Sequence, residues 1–242
     1  VGLLDVNSPA ASVALYAAAY AGVPYVPLNY RLTKPEIEAL LARTAPAFVV
    51  ADAQLLAGVD VPEGIHTVSR EQFLALAEQG EELDAQADPS AVAVQLFTSG
   101  TTGVPKAAVL RHENLMSYIL GTVEFAAADE AEATLVAVPP YHIAGISAVL
   151  SSTYACRRMV QLPNFEGKAW LELCRNEGVS HAFVVPTMLS RVIECIDHEG
   201  TAPELPALEA LAYGGGKMPA PVIERAMQSW PHVAYTNAYG LT

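Results

Sequence analysis

Positive charge is scarce in this sequence. The 242 residues carry 13 Lys and Arg against 26 Asp and Glu, a formal net charge of −13. A generic nucleic-acid binder needs a basic footprint along the phosphate backbone, and none is visible, so nucleic acid is not an expected partner. The same deficit means that a polyanionic ligand has to be met by local donors, because the field of the whole chain opposes it. Cysteine is equally thin: Cys156, Cys174 and Cys195 are widely spaced and form no CxxC pair. That argues against a disulfide scaffold and a zinc site, and no metal-ligating set is expected; a reducing compartment, the cytoplasm, fits best. Charged residues of either sign make up only 16%. Hydrophobic residues reach 52% and the mean hydropathy is +0.28, a core-rich globular composition and not that of a disordered chain. An unbroken apolar run of membrane length is also missing. The most apolar window, residues 10 to 28, is interrupted by Gly22, Pro24 and Pro27 and reads as a buried helix followed by a strand, so no transmembrane segment is expected. No basic leader of a signal peptide, no internal repeat and no low-complexity tract is seen.

What is present is an alternation of strand-like and helix-like segments. GLLDV, PYVPL, AFVVA, AVAVQLF, KAAVLR, TLVAVPP, RMVQLP, SHAFVVP, LEALAYGG and HVAYTN read as strands. Helical stretches lie between most of them, such as KPEIEALLARTA, whose Ile37, Leu40 and Leu41 share one face. Continuous apolar strands separated by helices predict an α/β fold with mainly parallel sheets covered on both faces. We expect two stacked α/β subdomains, residues 1–128 and 129–242, with ligands at the strand C-termini where the Gly-rich turns are. Between Asp52 and Pro89 the pattern weakens; a short helix after Ser69 and a solvated acidic run, EQGEELDAQAD, are expected. GLLDV opens without a lead-in and NAYGLT stops in a Gly turn, which suggests a fragment of a longer chain.

The stretch FTSGTTGVPKA, residues 97 to 107, follows a buried-strand pattern directly. Glycine lets backbone N–H groups approach an anion, and consecutive N–H groups form a concave nest for phosphate. Gly100 and Gly103 supply that freedom, Thr98, Ser99, Thr101 and Thr102 supply hydroxyls, and Lys106 supplies the charge the chain otherwise lacks. A plain flexible turn rarely combines so many hydroxyls with a Pro-Lys. A Walker-type loop requires GxxxxGK[ST] followed by a helix. Here Val104 and Pro105 separate Gly103 from Lys106, no Ser or Thr follows the Lys, and AAVL reads as a strand, so that geometry does not fit.

The stretch resembles the [ST]SG[ST]TGxPK(G) signature of the adenylate-forming superfamily, shared by acyl-CoA synthetases, firefly luciferases and peptide-synthetase adenylation domains; Ala107 stands where that family usually has Gly. Three further landmarks follow in the family's order. VPPYHIAGI, residues 138 to 146, is similar to its second signature. On its own, His142 after a Pro-Pro turn reads as a capping or buried residue; the resemblance places it beside the acyl carboxylate and the thiol tunnel. AYGGGKMP, residues 212 to 219, reads as a strand-to-helix turn, and the resemblance sets Gly214, Gly215 and Gly216 along the adenine and the acyl pocket. The family often has GGAP there, so Gly216 and Lys217 depart from it. NAYGLT resembles the start of YGxTE, which implies Tyr239 stacked on adenine, Gly240 beside it and Thr242 on the phosphate; the Mg²⁺-binding Glu would come next.

The resemblance implies an acid–thiol ligase. A carboxylic acid is activated by MgATP to an acyl-adenylate and then passed to coenzyme A. Lys106, His142 and Thr242 would be the catalytic groups, and fatty acids are among the candidate substrates. It also implies a C-terminal domain with a catalytic Lys, beyond this sequence, so the fragment is expected to be inactive alone. Alternatives are an acyl-AMP ligase, an adenylation domain delivering to a carrier protein, and a catalytically silent nucleotide-binding fragment.

Overall fold

The computed structural model describes residues 1–79, 88–98 and 105–240. The chain divides into two compact units. The first comprises Val1–Gly121 with Pro140–Ile143, and the second Thr122–Pro139 with Ala144–Leu241.

In the first unit, β1 (Gly2–Leu4), α1 (Pro9–Tyr20), β2 (Val26–Pro27), α2 (Lys34–Thr44), β3 (Ala47–Ala51), α3 (Ala53–Leu56), β4 (Ile65–Ser69) and α4 (Arg70–Ala77) build a parallel sheet in the order β2-β1-β3-β4. The helix starts are written in the sequence. Pro stands in the first turn of α1 and α2, where its missing N–H costs nothing. At α4, Ser69 and Gln72 cap each other: the Gln72 N–H donates to Ser69 Oγ at 3.2 Å and the Ser69 N–H to Gln72 Oε1 at 3.1 Å. Leu4, Val26, Leu28, Ile37, Leu40, Leu41 and Val49 form the core between sheet and α2. The apolar window at residues 10 to 28 is the buried α1 and β2, as expected. No helix among the described residues is long and apolar enough to cross a membrane.

A second piece of this unit departs from the parallel pattern. β5 (Val92–Thr98) and β6 (Lys106–Arg111) pair antiparallel and lead into α5 (His112–Thr122). Tyr25 bridges to β5: its N–H donates to the Ala93 carbonyl and its carbonyl accepts from the Gln95 N–H, both at 2.9 Å.

The C-terminal edge of the first sheet is closed by charge. Asp5 follows β1, Asp52 follows β3 and Arg70 follows β4. Arg70 donates from Nε to Asp5 Oδ2 at 2.7 Å, and from Nη2 to Asp5 Oδ1 at 2.5 Å and to Asp52 Oδ2 at 3.0 Å. Asp5 is fully buried, and it also accepts from the Val6 N–H and from Ser8 Oγ. A buried carboxylate is tolerated only with partners of this kind.

The second unit holds β7 (Ala133–Val136), α6 (Ile143–Tyr154), β8 (Arg158–Gln161), α7 (Gly167–Asn176), β9 (His181–Val184), α8 (Pro186–Glu199), β10 (Ala210–Gly214), α9 (Ala220–Ser229) and β11 (Ala234–Ala238). Its five strands are all parallel, in the order β11-β10-β9-β7-β8. Strand order reverses between β7 and β9, where an open α/β sheet characteristically opens a crevice at the C-terminal ends. The core joins Leu135, Val184, Leu189, Val192, Ile196 and Leu211, with Trp170 and Trp230 packed at 6.2 Å.

At the opposite end of these strands His181 links three elements. Its Nδ1 lies 2.8 Å from Ser180 Oγ and 3.7 Å from Glu132 Oε2, and Glu132 accepts Arg157 Nε at 2.6 Å. Burial, and then the Arg157 charge, push the His181 pKa below its ordinary 6.5, with Glu132 and Glu209 opposing. The folded protein therefore binds this proton less tightly than the unfolded chain does. Stability is fully present above the unfolded value and is lost as pH falls from 6.5 through the depressed folded pKa. Thermal unfolding followed between about pH 7 and pH 5 should show a falling midpoint, and His181→Gln should flatten that slope.

Candidate functional site

Thr98 and Lys106 are the last and first residues of β5 and β6 and face each other across the ladder. The Thr98 hydroxyl donates to the Lys106 carbonyl at 3.3 Å. Lys106 is exposed, and its ammonium makes no ion pair among the described residues. Ser99, Gly100, Thr101, Thr102 and Gly103 lie outside the described residues, as does Thr242. Ala107 pairs with Phe97 and is half-buried, so its methyl group is accommodated in the ladder. Arg43, from the last turn of α2, reaches these strand ends. Its Nη1 donates to the Pro105 carbonyl at 2.6 Å and its guanidinium carbon lies 5.0 Å from the centre of the Phe97 ring.

His142 is grouped with Tyr30, Arg31 and Tyr141. Tyr30 and Tyr141 meet edge-on at 5.3 Å, and the imidazole lies 4.5 Å from the Tyr141 ring. Desolvation first, and then the Arg31 charge, hold the His142 pKa below the ordinary histidine value. Its imidazole is therefore neutral at neutral pH while keeping an exposed edge. Such a ring donates or accepts one hydrogen bond without presenting a charge. Tyr141 is buried, and desolvation pushes its pKa up to about 12, so it stays a neutral hydroxyl.

Gly214 ends β10 in register with Ala238 at the end of β11. A Cβ on Gly214 would collide with the Ala238 carbonyl oxygen, so only glycine fits that pairing. Gly215 follows with φ +79°, the left-handed region. Gly215 and Gly216 are exposed, a strip of bare backbone at the strand end; Lys217 beside them is exposed too. On the neighbouring strand end Tyr239 is 87% exposed, with Gly240 after it. An aromatic ring this open and bare backbone thus stand at adjoining parallel strand ends, the elements needed to hold a flat heterocycle. Gly214→Ala is expected to destabilise the second unit by about 1–3 kcal/mol through overpacking, read as a lower unfolding midpoint in denaturant.

The sequence reading missed Arg43, Tyr30 and Arg31. Arg43 sits in a helical pattern where a basic last turn reads as complement to the helix dipole, and nothing local marks its reach across 62 positions to Pro105. The NYR triplet follows a strand, which was the one available signal for Tyr30 and Arg31.

A family model described as AMP-binding enzyme matches residues 1–242, the whole chain. The chain belongs to the AMP-binding enzymes. Within that family it is 30% identical over 243 residues to a 2-succinylbenzoate–CoA ligase of Geobacillus sp. (strain WCH70), covering 100% of this chain and 48% of the relative. It is 30% identical over 252 residues to a feruloyl-CoA synthase of Amycolatopsis sp, covering 100% and 49%. The chain spans about half the length of the curated relatives it matches. In fold, this AMP-binding enzyme is similar to an inhibitor-bound crystal structure of the N-terminal domain of FACL13 from Mycobacterium tuberculosis, with a TM-score of 0.80 at 22% identity, over 99% of this chain and 62% of that one. The expected α/β fold of adenylate-forming enzymes is thereby established for this family member.

Proposed function

We propose that this AMP-binding enzyme activates a carboxylic acid with MgATP and transfers the acyl group to coenzyme A. A carboxylate oxygen attacks the α-phosphorus, the bond to the β-phosphate oxygen breaks, and pyrophosphate leaves. The coenzyme's sulfur then attacks the acyl carbon, AMP leaves, and the thiol proton passes to solvent. In this reading Lys106 and Thr98, with Ser99 to Gly103, take the β- and γ-phosphates, and Thr242 orients the α-phosphate. Gly214 to Gly216 with Tyr239 and Gly240 receive the adenine and the acyl group, and neutral His142 lies by the carboxylate. No group of three His, Cys, Asp or Glu side chains among the described residues could hold a metal alone. Mg²⁺ would arrive on the phosphates of the nucleotide, a usual mode for this ion. Phosphoryl chemistry of this kind is mainly positioning and charge neutralisation, and the carboxylate needs no general base.

The observation that carries the reading is the exposed Lys106 ammonium beside Thr98, at the strand ends that flank the Ser/Gly/Thr stretch, in a chain of net charge −13. A local cation retained against that field suits a polyphosphate. The names of both relatives favour coenzyme A as the acceptor and put aryl acids beside fatty acids among the substrates to try. The test is pyrophosphate release from MgATP by the full-length gene product, with a panel of aryl and fatty acids, with and without coenzyme A. Acid-dependent release that rises with coenzyme A is expected. Release indifferent to coenzyme A would point to an acyl-AMP ligase or a carrier-protein acceptor, and no release with any acid would defeat the proposal. Tyr239→Ala should weaken ATP binding by about 1–3 kcal/mol if the ring stacks on the base, and Tyr239→Phe should not.

A further inference from the structure

We propose that Arg43 is a positioning residue for the nucleotide's phosphates, acting through the strand ends that carry Thr98 and Lys106; this rests on the phosphate reading of that segment. Arg43 stands in the last turn of α2, where a basic side chain ordinarily serves the helix's own terminal carbonyls. Here other groups do that work. Thr44 Oγ1 donates to the Leu40 carbonyl at 2.8 Å and the Ala45 N–H to the Leu41 carbonyl at 3.1 Å. Arg43 instead turns outward and engages both strands at once. Its Nη1 holds the carbonyl of Pro105, the residue before Lys106, at 2.6 Å. The same guanidinium lies 5.0 Å from the ring of Phe97, the residue before Thr98. One planar cation thus tethers the residue preceding each member of the Thr98–Lys106 pair.

The chemistry of this tether favours arginine. A guanidinium donates in its plane while its face lies against an aromatic ring, a preorganised geometry that the compact, flexibly held ammonium of lysine matches less well. The tether holds the chain on either side of the Thr98–Lys106 pair, and so limits the positions from which the Lys106 ammonium can meet a phosphate. Arg43 adds a second fixed positive charge beside Lys106, which lowers the cost of bringing a polyanion to an acidic protein. Because Arg43 is exposed and its contacts lie at a strand end, its loss should cost the fold little.

Steady-state kinetics of acid-dependent pyrophosphate release in the full-length protein separate positioning from mere support. Arg43→Ala is expected to raise KM for MgATP about tenfold, the scale of losing one charged hydrogen bond and a settled geometry. Its kcat should stay within about threefold, and KM for the acid and the thermal midpoint should not change. Arg43→Lys, which keeps the charge, should recover only part of the loss. A KM for MgATP within twofold of wild type in Arg43→Ala would overturn the proposal, and so would full recovery by Lys, since charge alone would then suffice. Hydrogen exchange of the ligand-free protein gives a second reading independent of catalysis. Amides from Lys106 to Ala108 should exchange faster in Arg43→Ala while those of α2 do not. If wild type shows no ATP-dependent reaction, the proposed function fails. Unchanged exchange at Lys106 to Ala108 would separately overturn the tether.

Discussion

Lys106→Ala is expected to lower kcat/KM for acid-dependent pyrophosphate release by about 10²–10³-fold, the usual cost of removing one preorganised charge from a developing anion. The argument is one of scarcity. In a chain with twice as many acids as bases, the phosphates of the proposed nucleotide would meet few cations, and Lys106 stands exposed at the start of β6, opposite Thr98. The loss should not pass through stability, since an exposed side chain without an ion pair among the described residues contributes little to folding. The thermal midpoint of the variant should match wild type while its nucleotide kinetics do not. Lys106→Arg should retain more activity than Ala yet fall short of Lys, because the fork is longer and its charge lies elsewhere. A Lys106→Ala enzyme within threefold of wild type would remove this residue from the phosphate contact.

The largest effect on folding should come from Arg70→Met. It leaves the fully buried Asp5 without its guanidinium, while the Val6 N–H and Ser8 Oγ still donate to it. Breaking a buried pair by deleting one member costs about 3–5 kcal/mol, because the charge left behind has lost its compensation. Denaturant titration of the variant should show that loss as a lower midpoint. Arg70→Lys should restore little: one ammonium cannot match the fork that reaches Asp5 from two nitrogens and Asp52 from one of them. A double replacement, Asp5→Leu with Arg70→Met, should recover much of the loss, since two apolar groups need no partner. A loss below about 1 kcal/mol for Arg70→Met would mean that Asp5 is satisfied locally.

Much of this architecture is visible in the sequence, because the strongest signals are local. Apolar runs such as AFVVA and SHAFVVP became β3 and β9, and the Pro-led starts of α2 and α8 lie where helix chemistry puts them. β4 escaped notice: three of the five residues of IHTVS are polar and the strand is only half-buried at the sheet edge, so no apolar run announces it. The antiparallel pairing of β5 and β6 was also hidden, since residue pattern records burial and not direction. At the site, motifs with backbone requirements were legible. Gly214 and Gly215 occupy a close approach and a left-handed turn that other residues do not fit. Gly216 and Gly240 show no such need: the former makes only ordinary contact with Pro186, and the latter meets nothing. Residues that act over distance, Arg43 above all, left no mark, because their partners are set by the fold and not by neighbours in sequence.

The edge strand β11 has a genetic consequence. Four of its five residues are exposed, and among the described residues it pairs with β10 alone. Little of the core depends on it, so inserting or deleting one residue there would leave most of the protein folded. Yet side chains alternate along a strand, and a single-residue slip would turn the Tyr239 ring to the other face. Mutations of length in this short segment should therefore yield a protein of ordinary abundance that has lost the nucleotide contact proposed for Tyr239. Such alleles would pass a screen for expression and fail one for the proposed acid-dependent pyrophosphate release.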